Sequence, residues 1–163
     1  MRVIRTLILT AALALASSAW SEENTFDDNG DGTIIDTKTG LMWQEQEDGR
    51  RIWNDSLEYC KGLSLAAHSD WRLPTLEELE SLWDDAGSKP DIRKQYFPSM
   101  KISGEPDQLL GTIAPYWSST IVKIGAANGV GFLDFANGQI QAATQNMALP
   151  FYARCVRLGS AEL

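Results

Sequence analysis

The sequence predicts an α+β fold, with two helices packed on short antiparallel strands and long loops between them. Three observations carry this. Asn29-Gly30, Asp31-Gly32 and Asn137-Gly138 are hairpin-type turn dipeptides, and they punctuate short runs of strand formers at both ends of the chain. Two stretches between those ends space their apolar residues as helices do. From Ser88 to Pro115 four prolines (Pro90, Pro98, Pro106, Pro115) break up any regular run.

The chain begins MRVIRTLILTAALALASSAWS: a basic start at Arg2 and Arg5, an apolar core from Leu7 to Ala16, then small residues. That is the layout of a secretory signal peptide, here residues 1–21, and the apolar core is too short to span a bilayer. Residues 22–163 then form one domain with no transmembrane anchor, long enough to bury a core of its own. Of the 14 basic residues in the chain, Arg2 and Arg5 leave with the signal, and the 22 acidic ones all remain, for a net charge of −10. Such a surface repels phosphate backbones and anionic lipid, which argues against a nucleic-acid partner.

FDDNGDGTIIDTKTGLMWQ reads as strand, turn, strand, turn, strand, with Thr33-Ile34-Ile35 and Leu41-Met42-Trp43 as strand formers. IWNDSLEYCKGLSLAA reads as the first helix, since Trp53, Leu57, Cys60 and Leu63 share one face. SDWRLPT leads into the second. Thr75 with Glu78 three residues on is a capping box, Leu76, Leu79, Leu82 and Trp83 make the apolar face, and Gly87 is a natural stop. Pro74 lies just ahead of the helix, where it breaks no helical hydrogen bond. Trp71 plugs the core, and Arg72 is free to bond loop carbonyls or a carboxylate such as Asp70. Residues 88–115 read as an ordered loop. YWSST and GVGFLDFANGQIQAAT read as strands turning at Asn137-Gly138, and FYARCVRL reads as the closing strand.

Two cysteines, Cys60 and Cys155, are an even count in an exported chain, which favours a disulfide between them. No CxxC spacing or histidine neighbour supports a metal or catalytic pair.

DNGDGTIIDTKTGLMWQ, WNDSLEYC, SDWRLPTLEELESL, YWSST and RCVR, in this order, resemble the Lcl C-terminal domain family, named for the terminal domain of a bacterial collagen-like adhesin. The resemblance covers roughly residues 25 to 158. It implies a C-type-lectin-like fold, in which a cysteine of the first helix bonds to one of the last strand; Cys60 and Cys155 sit where that rule needs them. RLPT followed by a Glu-rich helix is also similar to formylglycine-generating enzymes of the same superfold. Those enzymes use a late cysteine pair to bind metal, whereas this chain offers only Cys155 there. The resemblance therefore implies a scaffold role for RLPT and a non-enzymatic domain.

Asp27, Asn29, Asp31 and Gly32 match positions 1, 3, 5 and 6 of a calcium loop, but Lys38 stands where the bidentate Glu belongs, so turn chemistry is the expected reading and calcium the alternative. His68 is the sole histidine, and Ser118 and Ser119 have no base beside them, so no triad or zinc site is complete. Glu77-Glu78 and Asp84-Asp85 read as solvated helix face. Tryptophan faces stack on sugar rings. Of Trp43, Trp53, Trp71, Trp83 and Trp117, the expected exposed one is Trp83, at the end of the second helix. The adhesin relatives imply a sulfated-glycan ligand. A net charge of −10 opposes that ligand unless Arg50, Arg51, Arg93, Lys94 and Lys101 form a local basic patch.

The expectation is an exported, non-enzymatic binding or adhesion module in the periplasm, on the cell surface or secreted, with no cofactor. Its ligand is a glycan or an exported or surface protein, met through loops around residues 84–112 and 121–130, with Trp83, Arg93 and Lys94 as candidate contacts. The alternatives are an enzyme similar to the formylglycine-generating family and an envelope assembly component.

Overall fold

Asx–Gly turns set the first sheet. In the computed structural model, which describes residues 25–102 and 113–159, Phe26–Asp28 (β1), Thr33–Asp36 (β2) and Leu41–Gln44 (β3) form an antiparallel meander. Gly30 takes a φ of 71°, open to glycine without steric cost, and its N–H donates to Asp28. Val156–Leu158 (β9) pairs with β3, giving the order β1-β2-β3-β9. The signal peptide expected at residues 1–21 lies outside the described residues.

The second sheet runs β4-β8-β5-β6-β7, from Arg50–Arg51 (β4), Pro115–Ile124 (β5), Ala127–Asp134 (β6), Gln139–Thr144 (β7) and Phe151–Tyr152 (β8). All its pairs are antiparallel except β5 with β8. Residues 121–130, expected as a loop, are the end of the β5–β6 hairpin, with Ile121 opposite Val130 and Ile124 opposite Ala127.

FYARCVRL is two strands rather than one. The chain leaves the second sheet after Tyr152 and enters the first at Val156. Long-range bonds hold the crossing: the Cys155 N–H donates to Gln44 Oε1 at 3.2 Å, and Cys155 is bonded to Cys60 across 95 residues of sequence. Closing a loop of that length is worth ~4–5 kcal/mol in the chain-entropy account.

The helices number three among the described residues, not two. Trp53–Gly62 (α1) stops five residues short of the expected end, and Cys60 on its inner face is fully buried. Leu65 and His68 then exchange backbone hydrogen bonds across Ala66 and Ala67, both left-handed at φ 53° and 61°. Leu76–Leu82 (α2) carries the capping box: the Glu78 N–H donates to Thr75 Oγ1, and the Thr75 N–H to Glu78 Oε2. A π-helical turn, Trp83–Gly87, continues it. Pro90–Tyr96 (α3) is the element expected as loop. It is short, and Pro90 in its first turn loses no helical bond. Packing of Ile92 and buried Tyr96 on the core holds it.

Two apolar clusters meet at the β5–β6 pair. Tyr116 and Leu133 join Phe26, Trp43, Leu79, Leu82 and Phe97 on one side, and Trp117 and Phe132 join Trp71, Leu73 and Phe151 on the other. Alternate side chains point to opposite faces, so these strands are a wall buried on both sides. None of the described helices is long and apolar enough to cross a membrane.

Candidate functional site

The junction into α2 is built by two local contacts and one long-range backbone pairing. Trp71 is buried, and its Nε1 donates to the Leu65 carbonyl. The Arg72 backbone exchanges hydrogen bonds with Val156 of β9 at 2.9 Å. The Arg72 guanidinium pairs with both Glu78 oxygens, at 2.6 and 2.7 Å. Asp70, one carboxylate open to Arg72 from the sequence, instead takes Arg157, and the hydrogen bond from that guanidinium lowers its pKa. Glu78 is therefore a paired, half-buried charge rather than a solvated one. Burial pushes its carboxyl up, but the Arg72 hydrogen bond and the Thr75 N–H together bring it below the ordinary value. Asp85 also differs from the expectation of a solvated face: it is buried and pairs with Lys38 at 2.9 Å. Arg72 and Thr75 of RLPT thus hold the entry to α2 through Glu78.

The π-helical turn, α3 and the β6–β7 turn border an open cavity of about 270 Å³. Trp83, Gly87, Pro90, Arg93, Ile102 and Phe135 line it. Trp83 is half-buried rather than exposed. Its indole N–H donates to the Phe135 carbonyl at 3.3 Å, and its ring lies over Gly138. A Cβ at Gly138 would sit 2.8 Å from the ring, and one at Gly87 would sit 2.8 Å from Trp83 Cδ1, so two glycines make the indole's seat. Arg93 makes no ion pair among the described residues. The cavity walls are aromatic and aliphatic with one guanidinium and Ser88, and the volume falls just below the ~300–1,000 Å³ usual for small-ligand sites.

Trp83 and Arg93, from the sequence candidates, meet in this cavity, while exposed Lys94 is outside its lining. Pro90, Ile102 and Phe135 were missed as lining residues; their only signal was apolar character in a loop-rich segment and beside a hairpin turn. Of the five basic residues whose clustering would favour a sulfated ligand, two lie against aromatic rings. Arg51 stacks over Tyr59 at 3.8 Å and pairs with Asp48, and Arg50 lies 6.0 Å from the Tyr152 ring centroid. Only Arg93 of the five basic residues lines the cavity.

The calcium-like string forms a turn. Asn29 Nδ2 donates to the Thr33 hydroxyl at 2.8 Å, which donates to Asp31 Oδ1 at 2.6 Å, while Asp27 stands exposed on β1. The described residues contain no group of three or more His, Cys, Asp or Glu side chains placed to hold a metal. Ser118 is buried and its hydroxyl donates to the Gly131 carbonyl, and Ser119 bonds Pro74; each serves strand packing.

A second polar cluster lies in the core. The Arg154 guanidinium donates to the Gln44 and Glu45 carbonyls and to Glu47, and its plane faces Phe97. The Tyr116 hydroxyl donates to the Glu47 carboxylate and accepts from the Lys101 N–H. Burial above all, and then the Glu47 charge, push the Tyr116 phenol well above its ordinary pKa. With Arg154 fully buried and Glu47 nearly so, this cluster ties three loops together.

No curated protein matches the chain. The Lcl C-terminal domain family matches it over residues 32–157, most of its length, and the protein belongs to that family.

Proposed function

We propose that this protein is an exported, non-enzymatic binding or adhesion module, and that its ligand, a glycan or a loop of a surface protein, docks at the Trp83–Arg93 cavity. One observation supports the reading above the rest: an indole face, an aliphatic floor and a guanidinium without an ion partner converge on one opening in the described structure. A sugar ring stacks on the indole while Arg93 reaches a hydroxyl or acidic substituent. Export to the periplasm, cell surface or medium fits the N-terminal layout and the Cys60–Cys155 disulfide. The bond occupies both cysteines and leaves no thiol for cysteine-based metal chemistry, which supports the non-enzymatic reading.

The test is a glycan-array screen of the exported chain, with calcium and again with chelator, run beside Arg93→Ala. Lys94→Ala serves as the control on the same helix. Binding lost in Arg93→Ala and kept in Lys94→Ala, with both melting as wild type does, supports the cavity. Binding that survives Arg93→Ala moves the site elsewhere. A blank array turns the reading to a protein ligand, tested by envelope capture with the same two variants. Loss on chelation alone gives the Asp27–Asp31 turn a metal role.

A further inference from the structure

The four sheet edges are not protected alike. Edge strands present unpaired backbone groups, and proteins blunt them by keeping them short or charged. β1 is three residues with Asp27 and Asp28, and β4 is two residues, both Arg. β9 is three residues with Arg157, and Arg72 bridges onto it at Val156. β7 has none of these devices. It is six residues long, QIQAAT, pairs only with β6 in the described sheet and ends the strand order. It contains no Pro, Lys or Glu, and five of its six residues are exposed.

The surrounding sequence is equally unusual. From Phe135 to Ala153 the chain has no charged residue, although 22% of the whole is charged. Ile140 and Met147, two of the largest exposed hydrophobics, fall within that run at 46% and 47% exposure.

We propose that β7 is a self-association edge, pairing antiparallel with β7 of a second copy to join two five-stranded sheets. The charge pattern makes this the edge at which two copies can meet. Two copies of a chain of net charge −8 repel one another over most of their surface. Along this one edge a two-fold pairing sets uncharged side chains opposite uncharged side chains, in any register within the run. Such a pairing is isologous, so it closes at the dimer and leaves no growing end. Six residues of edge form a small interface, so the dimer is weak and concentration-dependent.

Sedimentation velocity of the disulfide-bonded chain over a concentration series tests this. The wild-type mass is expected to rise toward twice the monomer. Gln141→Lys adds one like charge per copy in the middle of the pairing strand at an exposed position, and is expected to hold the mass at the monomer without lowering the melting temperature. An equimolar mixture of Gln141→Lys with Gln141→Glu is expected to recover the dimer, since the charges then oppose. A wild-type chain that stays monomeric at every concentration overturns the proposal and leaves the edge to a strand of another protein. Dimerisation of Gln141→Lys equal to wild type, or a mixture that stays monomeric, also overturns it, because the dimer contact then lies elsewhere.

Discussion

Arg154 donates to Glu47 at 2.6 Å with its own side chain fully buried and that of Glu47 only 3% exposed. The pair is 107 residues apart in sequence and closes the gap between the β3–β4 loop and the crossing between sheets. Replacing one partner leaves the other charge stranded without water. Arg154→Leu is therefore expected to destabilise by about 3–5 kcal/mol in urea unfolding of the disulfide-bonded protein. Glu47→Gln combined with Arg154→Leu should cost less than the sum of the two single changes. A strictly additive double-mutant cycle would show that the two side chains do not share their energetics.

The ends of that pair show what the sequence displays and what it hides. Turns are local, so Asn29-Gly30, Asp31-Gly32 and Asn137-Gly138 were legible, as was the Thr75–Glu78 capping box. Two cysteines leave one possible pairing. Partner choice is not local. FYARCVRL alternates correctly for one strand, yet alternation does not record which strand lies alongside, and the sheet change at residues 153–155 was invisible. The choice of Glu78 over Asp70 by Arg72 was hidden for the same reason. Pro90–Tyr96 fell among prolines and read as loop because tertiary packing, rather than propensity, makes it helical. The cavity combines residues from positions 83 to 136, so only its most distinctive members, Trp83 and Arg93, stood out in advance.

Tyr116 gives the fold an alkaline limit. Its phenol is held well above the ordinary value by burial and by the Glu47 charge. A folded pKa raised above the unfolded one, about 10, contributes stability that is complete below that value and lost as pH rises through the interval toward the folded pKa. Stability should fall by up to about 1.4 kcal/mol per pH unit in that window. Tyr116→Phe should start lower by about 1.5–3 kcal/mol, from the lost hydrogen bond to a charged group, and then fall less steeply. Parallel slopes for the two proteins above pH ~10 would locate the alkaline transition in another group.

Glu78 acts at the acid end. Its folded pKa is lowered overall, so its contribution is present above the unfolded carboxyl value of about 4.3 and is lost as pH falls through the folded pKa. Glu78→Gln keeps a side chain able to accept from the Thr75 N–H and removes the Arg72 ion pair. The loss is expected to be about 1 kcal/mol near neutrality, modest because Arg72 is 43% exposed, and to vanish once pH falls below the folded pKa of Glu78. Thermal unfolding at both pH values checks it, and a loss that persists in acid would place the effect in the cap alone.

Gly138 takes φ 74° at the tip of the β6–β7 turn, under the Trp83 ring. An alanine there is strained by its backbone and meets the indole at 2.8 Å. Gly138→Ala should destabilise by about 2–3 kcal/mol and shift the tryptophan emission as Trp83 leaves its seat. Emission unchanged beside lost stability would mean that the backbone strain acts alone.

The opposite substitution is favourable at the turn after α1. Ala66 and Ala67 both occupy the left-handed region, at φ 53° and 61°, where a Cβ crowds the following carbonyl at about 1–2 kcal/mol per residue. Glycine removes that strain and adds back part of it as unfolded-chain entropy, about 0.4–1 kcal/mol. Ala67 is exposed, so its methyl group takes no packing energy with it. Ala67→Gly is therefore expected to stabilise by about 0.5–1 kcal/mol, a gain of a few degrees in melting temperature. The Leu65–His68 backbone pair should persist, read as protection of the His68 amide from exchange, because the turn is relieved rather than released. A lower melting temperature would mean that the left-handed pair carries less strain than its φ values imply.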